Sequence, residues 1–138
     1  MSRCVVLDAG ALSALAGRPA RRSREVRAAL RAAERLGRDV FVPAVILAEL
    51  YRGPRHSQVV DACLSRETGL RVRDTDRGLA RLVGGVLAAA RVGSEYLADA
   101  HVIAAVVDAG GGVAMTTDPN DLARLAAAYP NVTVIALP

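Results

Sequence analysis

The sequence predicts a single α/β domain, a three-layer sandwich in which helices cover both faces of a central, mainly parallel sheet. Two observations lead to this prediction. Short runs of β-branched apolar residues alternate with longer segments of helical period, and 138 residues suffice for one domain with a substantial core. Strands separated by helices favour parallel pairing, because a crossover must return the chain to the start of the next strand. No repeat, linker or low-complexity segment interrupts the pattern, so we treat residues 1–138 as one domain.

The first half of the chain predicts three strands and four helices. RCVVLDA is a strand that ends near Asp8, and a helix follows it. RRSREVRAALRAAERLG is a helix with Ser23 as N-cap, apolar on one face and with arginines 24, 27, 31, 35 and 38 on roughly the opposite face. DVFVP is a second strand and AVILAELYRG a helix that Gly53 and Pro54 stop. SQVVDACLSRET and LRVRD predict a further helix and a third strand.

The second half continues the alternation. TDRGLARLVGGVLAAARVG and SEYLADAHVIAAVVDAGG predict two consecutive helices separated at Gly93. GVAMTT predicts a strand, DPNDLARLAAAYP a helix and NVTVIALP the last strand. Within the second of the two consecutive helices, Asp99 stands among apolar residues, which is an unfavourable place for a carboxylate.

Composition excludes several classes of protein. The start, MSRCVVLDAG, is unlike a signal peptide, and no run of 18 apolar residues exists, so we expect a cytoplasmic protein with no membrane contact. Two cysteines, Cys4 and Cys63, are too few for a disulfide scaffold and fit a reducing compartment. All eighteen basic residues are arginine, and sixteen of them lie at or before Arg81 against nine acids there. This basic region indicates a polyanionic partner, although biased composition with solvated arginines explains it equally well.

Four or five carboxylates occupy positions that call for an explanation. Asp8 follows the first strand, at the end of a parallel sheet where functional crevices form. Asp8 can also serve only as a helix cap. Glu49 shares a helix face with Val45 and Ile46, and burial of an unpaired carboxylate costs several kcal/mol. For Glu49 and Asp99, a structural partner such as Arg52 or Arg91 is the alternative. Asp118 and Asp121 lie in TTDPND, which also fits a helix start with Pro119 in the first turn.

A cluster of these carboxylates requires a cation. At about 5 Å and an effective dielectric constant of about 20, each pair of like charges costs about 3 kcal/mol. Ligands that are oxygen atoms alone select a hard divalent ion such as Mg²⁺ or Mn²⁺, and the chemistry of such ions is at phosphates. The sequence therefore favours a site for a hard divalent ion whose chemistry is at phosphates.

The order of these fragments resembles the PIN-domain nucleases. The resemblance rests on an early Asp in VVLDAGALSAL, a Glu in PAVILAELYRG, an Asp in LADAHVIAA and a late TTDPND, and it covers essentially the whole chain. More narrowly, the chain is similar to the VapC-type toxins of bacterial toxin–antitoxin pairs. The resemblance implies a PIN-like fold, an acidic metal site, RNA as substrate, a homodimer and a small antitoxin that occludes the site. The site residues that it implies are Asp8, Glu49, Asp99 and Asp118.

One position departs from the family pattern. Many relatives carry Ser or Thr directly after the first Asp, whereas Ala9 and Gly10 follow here. Thr116 supplies a hydroxyl near Asp118, at a position where relatives often carry Ser or Thr. We expect Thr116, Arg52 and Arg55 to contact the substrate, the two arginines because they follow Glu49 so closely. Aromatic residues make up 3% of the chain, so base stacking contributes little to recognition.

Three other classes of protein remain to be weighed. A receiver-type phospho-acceptor module uses a Lys near the phosphorylated Asp, and this chain has none. A cofactor-dependent oxidoreductase is disfavoured because no G-x-G-x-x-G follows the first strand. A catalytically decayed PIN-like domain that binds RNA or a partner is the main alternative to the nuclease. His101 lies about 200° around the helix from Asp99, so we do not expect it to share a ligand set.

Overall fold

The computed structural model describes residues 3–17 and 20–137. Its sheet has five parallel strands in the order β3-β2-β1-β4-β5. The strands are β1 (Cys4–Leu7), β2 (Val40–Pro43), β3 (Leu70–Arg73), β4 (Gly112–Thr116) and β5 (Val132–Ala136). The prediction of a central, mainly parallel sheet is confirmed. Pro138, the last residue of the predicted final strand, lies outside the described residues.

Seven α-helices and one 3₁₀ turn connect the strands in the described part of the chain. The helices are α1 (Ala9–Ala16), α2 (Arg21–Arg35), α3 (Ala44–Leu50), α4 (Pro54–Arg66), α5 (Arg77–Ala90), α6 (Leu97–Asp108) and α7 (Pro119–Ala126). The 3₁₀ turn, Ser94–Tyr96, comes directly before α6. Every predicted element is present, and the boundaries differ by a few residues.

Two helix starts differ from the prediction. Ser23 is not the N-cap of α2 but its third residue, and from there its hydroxyl oxygen accepts the Ala20 N–H at 2.8 Å. Pro54 does not simply end the preceding helix. It is the first residue of α4, where a missing N–H costs nothing, and Gly53 makes the turn between the helices with a φ of 99°.

Helices cover both faces of the sheet. Right-handed crossovers place α1, α2 and α4 on one face and α5, α6 and α7 on the other. The core is deepest where α6 crosses the central strands: all four residues of β1 are buried, and so are residues 100–106 of α6. Cys4 and Cys63 are buried free thiols, as expected for small apolar side chains.

The strand order creates a crevice at one place in the sheet. From β1 the chain proceeds to β2 and β3 on one side, and it then crosses to β4 and β5 on the other side. The carboxyl ends of β1 and β4 are therefore the switch point at which an open α/β sheet forms its binding crevice. Asp8 directly follows β1, and Thr117 and Asp118 follow β4. Two widely separated parts of the chain thus bring their carboxylates to the same crevice.

In the part of the chain that the structure describes, no helix is both long enough and apolar enough to cross a membrane.

Candidate active site

Asp8 is the most deeply buried carboxylate of the crevice. One of its oxygens caps α1 by accepting the Ala11 N–H at 2.8 Å, so the capping role expected from the sequence is present. The other oxygen accepts a short hydrogen bond from the Thr116 hydroxyl. Burial raises the pKa of Asp8, the bonds to Thr116 and to backbone N–H groups lower it, and the charge of Asp118 raises it. Capping thus accounts for one oxygen, and the second faces β4.

Asp99 lies in the first turn of α6 rather than in the middle of a long helix. The 3₁₀ turn precedes it, so Asp99 is the third residue of α6, just before the buried segment. A carboxylate is favoured there by the helix dipole. Its pKa is nevertheless raised to about 6, first by burial and then by the charges of other carboxylates: Asp121, Asp8, Glu49 and Asp118. The charges of all four other carboxylates therefore act on Asp99.

Glu49 is exposed, so the expectation that it is buried with Val45 and Ile46 is wrong. The reason is the length of α3. The helix ends at Leu50, so Glu49 lies in its last turn and no further turn covers it. Its charge still raises the pKa of Asp99. Glu49 is thus related to the other carboxylates by its charge and not by burial.

Asp118 and Asp121 flank the crevice on the α7 side. Asp118 is the N-cap residue of α7, and Pro119 takes the first helical position as predicted, but the Asp118 side chain makes no capping hydrogen bond. The charge of Asp118 raises the pKa of Asp8. Asp121 acts more strongly on Asp99 than Asp118 does. The sequence favoured Asp118 over Asp121, and in the structure the charges of both raise the pKa of Asp99.

No ion pair joins an arginine to the carboxylates of the crevice in the part of the chain that the structure describes. Within the described residues, neither Glu49 nor Asp99 forms an ion pair, so Arg52 and Arg91 do not take the structural role considered above. Arg52 instead donates from Nε to the backbone oxygen of Glu49 at 2.9 Å. In residues 3–17 and 20–137, no three Asp, Glu, His or Cys side chains stand together as a metal site. A shared ion therefore requires the exposed carboxylates to turn towards Asp8 and Asp99.

Thr116 is fully buried and holds two parts of the crevice together. Its hydroxyl donates to Asp8 and accepts the Asp118 N–H at 2.9 Å. A buried hydroxyl with both partners satisfied positions Asp8 and the loop after β4. The sequence predicted that Thr116 contacts the substrate and did not predict its bond to Asp8.

Arg52 and Arg55, the other two expected substrate contacts, are both exposed. Arg52 and Glu49 border an open, largely apolar groove between α1, α3 and α4. Arg55 lies in the first turn of α4. Their contact with substrate stays a prediction.

Close packing explains the glycine that follows Ala9. A Cβ added at Gly10 would overlap the Thr117 hydroxyl and lie 3.1 Å from the Thr117 Cβ. Gly10 therefore lets the start of α1 approach the loop after β4. His101 is buried and donates from Nδ1 to the Leu97 oxygen at 2.8 Å, which agrees with its expected absence from the site.

The residues of the crevice fit a hard divalent cation. The donors are carboxylate oxygens, the kind of ligand that Mg²⁺ and Mn²⁺ prefer. Burial is the main reason that the pKa values of Asp8 and Asp99 are raised, and the charges of neighbouring carboxylates add to it. A cation would offset those charges. Asp8, Glu49, Asp99 and one or both of Asp118 and Asp121 are the residues that could hold it.

The raised pKa of Asp99 predicts a pH dependence of stability in the metal-free protein. The folded state holds this proton more tightly than the unfolded chain, so the stabilisation is present below about pH 4 and is lost as the pH rises through about 6. We expect Asp99→Asn to unfold with the same free energy as wild type near pH 4. At about pH 7.5 it should be more stable by roughly 1–2 kcal/mol, after allowance for the solvent screening of a half-buried group.

Urea unfolding of both proteins in EDTA at these two pH values measures the difference. A variant that is equally or less stable at the higher pH would contradict the assigned environment of Asp99.

The fold and its site together define an α/β protein with an acidic crevice at the switch point of a parallel sheet. The family model of the PIN domain matches residues 5–128. The chain therefore belongs to the PIN domain family, which confirms the family expected from the sequence.

Two solved structures share the fold over nearly their whole length. The first is VapBC2 from Rickettsia felis bound to a DNA fragment from their promoter: the TM-score is 0.67 at 14% identity, over 98% of this chain and 99% of the other. The second is a toxin–antitoxin complex from Klebsiella pneumoniae, with a TM-score of 0.65 at 16% identity over 96% and 99%. At these identities the likeness shows the fold. None of the curated proteins is recognisable as a relative by its sequence.

Proposed function

We propose that this PIN domain is a metal-dependent endoribonuclease, the VapC-type toxin of a toxin–antitoxin pair. The observation that carries the proposal is that the charges of four other carboxylates raise the pKa of Asp99 beside the switch point of the sheet. Within residues 3–17 and 20–137, none of these five carboxylates forms an ion pair with arginine. Membership of the PIN family and the full-length likeness to two complexes, VapBC2 and a toxin–antitoxin complex, support it.

The proposed roles follow from where the side chains lie. Asp8 and Asp99 are ligands of Mg²⁺ or Mn²⁺, and Glu49, Asp118 and Asp121 ligate directly or through water from the rim. The ion supplies a Lewis acid that lowers the pKa of water and offsets charge on the phosphate. Thr116 fixes the orientation of Asp8 through its buried hydroxyl. Arg52 and Arg55, both exposed next to Glu49, bind the RNA backbone.

The proposed partners are RNA, a second copy of the chain and a cognate antitoxin. An antitoxin is supported by the two structural neighbours, since one is a toxin–antitoxin complex and the other is VapBC2. RNA is supported by the excess of arginine, because a planar guanidinium binds phosphate through two parallel hydrogen bonds. We place the protein in the cytoplasm.

Metal dependence is the direct test of this function. We expect the wild-type protein to cleave a labelled stem-loop RNA with Mg²⁺ or Mn²⁺, to stop in EDTA and to resume when excess metal is restored. The same ions should also raise the Tm. A metal-ion concentration of about 100 times the Kd adds about 2.7 kcal/mol to the free energy of unfolding. Electrophoresis and thermal unfolding measure the two effects.

The two measurements separate the nuclease from a decayed PIN-like domain. Cleavage that continues unchanged in EDTA would contradict metal-assisted hydrolysis. The absence of both cleavage and a metal-induced rise in Tm would favour the decayed domain.

A further inference from the structure

Arg124 stacks on an aromatic ring beside the acidic crevice. Its guanidinium carbon lies 5.6 Å from the centre of the Tyr96 ring. Its Nη1 lies 3.5 Å from the Tyr96 hydroxyl. A cation over a ring face within about 6 Å is attracted by the ring electrons, and guanidinium groups take this position most often. Tyr96 therefore limits where the Arg124 guanidinium can point.

Both residues lie one helical turn from a carboxylate of the cluster. Arg124 follows Asp121 by three positions in α7, and Tyr96 precedes Asp99 by three positions at the start of α6. Residues three apart in a helix are neighbours on its surface. Because α6 and α7 pack against each other, the Arg124–Tyr96 pair joins the start of α6 to α7, next to Asp99 and Asp121.

No carboxylate of the described residues neutralises the charge of Arg124. Arg124 is exposed, and among the described residues it forms no ion pair, although Asp121 is only three positions away. Apart from the bond to Tyr96, its N–H groups make no hydrogen bond in the described part of the chain. Arg124 lies in the last turn of α7, where the helix dipole favours a positive charge. That interaction does not occupy the N–H groups of its guanidinium.

We infer that Arg124, held against Tyr96, binds a phosphate of the RNA strand next to the phosphate that is hydrolysed. This inference rests on the proposed nuclease function. A carboxylate-rich crevice repels RNA, so a substrate needs cations at the edge of the crevice as well as the metal within it. A planar guanidinium matches the geometry of a phosphate, and an arginine held by an aromatic ring loses less side-chain entropy on binding. Arg124 is thus a substrate-binding residue, and Tyr96 is a positioning residue.

The salt dependence of RNA binding tests the contact. A fluorescein-labelled single-stranded RNA of mixed sequence is titrated with protein in Ca²⁺, and anisotropy gives the Kd at several salt concentrations. Loss of one phosphate contact reduces the slope of log Kd against log salt by about 0.7 for a single strand. We expect this change for Arg124→Gln, with a Kd about tenfold higher at low salt. Arg77, at the exposed start of α5, provides the control. Arg77→Gln removes the same charge away from the proposed contact, so its Kd and its slope of log Kd against log salt should stay close to those of wild type.

Further variants separate charge, shape and positioning. Arg124→Lys should keep the slope, because it keeps the charge. It should raise the Kd a few-fold, because an ammonium group lacks the planar guanidinium that binds a phosphate through two parallel hydrogen bonds. Tyr96→Phe should bind like wild type, whereas Tyr96→Leu should raise the Kd because the ring that orients Arg124 is gone. In Mg²⁺, Arg124→Gln should raise the KM for cleavage and leave kcat within about twofold, as loss of uniform binding does.

Each outcome decides one question. If Arg124→Gln matches Arg77→Gln in Kd and slope, the inference is overturned while the nuclease stands. If the wild type binds RNA with an Arg124-dependent slope but cleaves nothing in Mg²⁺ or Mn²⁺, the nuclease fails and the phosphate contact stands. If the wild type binds no RNA, both are overturned.

Discussion

Asp99→Asn is expected to reduce kcat for RNA cleavage roughly 10³-fold, equivalent to about 4 kcal/mol of barrier. Among the acids of the crevice, Asp99 is the one whose pKa all four others raise, so it stands where their charges overlap. Asn preserves the shape of the side chain and removes the charge that a cation would share. Single-turnover cleavage with saturating Mg²⁺ measures the loss, and thermal unfolding shows that the variant remains folded.

A matched variant controls for the loss of a carboxylate. Asp74 lies in the loop after β3, is exposed and makes no side-chain hydrogen bond or ion pair within the described residues. Asp74→Asn should cleave within about twofold of wild type, because it removes an exposed carboxylate with no side-chain partner. Cleavage by Asp99→Asn at the wild-type rate would remove Asp99 from the proposed metal site.

Gly112→Ala is expected to destabilise the fold by at least about 3 kcal/mol, a large share of the 5–15 kcal/mol typical of a domain. Gly112 begins β4 and pairs with Cys4 of β1. A Cβ there would overlap the Cys4 backbone oxygen and lie 2.7 Å from the Cys4 nitrogen, and the φ of 151° is itself unfavourable for Ala. Both obstacles are backbone atoms of a central strand, which cannot move aside without breaking the ladder.

Gly110→Ala isolates the steric part of this effect. Gly110 also has a positive φ, 91°, but nothing lies within 4 Å of its added Cβ. Its cost should be that of the backbone conformation alone, about 1–2 kcal/mol. Urea unfolding gives both values, and Gly112→Ala should also lower Tm by roughly 10 °C. Equal destabilisation by the two variants would show that β1 and β4 are less tightly paired than the structure indicates.

The fold was predictable because its local signals and its topology agree. Apolar runs such as CVVL and VFVP are too short for helices and are rich in β-branched residues, and the helices between them require parallel pairing. The predictions that were wrong concern where helices begin, which a local sequence pattern does not determine. Ser23 has a typical N-cap side chain, but α2 begins at Arg21, three residues before the start that an N-cap at Ser23 would give, and the Ser23 hydroxyl then caps from inside the helix.

The candidate site was predictable in its members and less so in its geometry. The sequence places Asp8 and Asp118 after strands, and the strand order makes those two strands neighbours. Helical spacing assigned Glu49 to a buried face, but spacing does not say where a helix meets the edge of the core, and α3 ends too soon to bury it. The bond between Thr116 and Asp8 joins distant parts of the chain, so no local pattern contains it.

That bond links residues 108 positions apart, and this separation matters during synthesis of the chain. β4 lies between β1 and β5, so the crevice forms only after residue 116 has joined the sheet. A growing chain that ends before this point has Asp8, Glu49 and Asp99 but lacks Thr116, Asp118 and Asp121. Because domains fold as the chain emerges, the N-terminal half can collapse early without forming the acidic crevice. The ribosome that makes this protein therefore carries an incomplete site for most of translation.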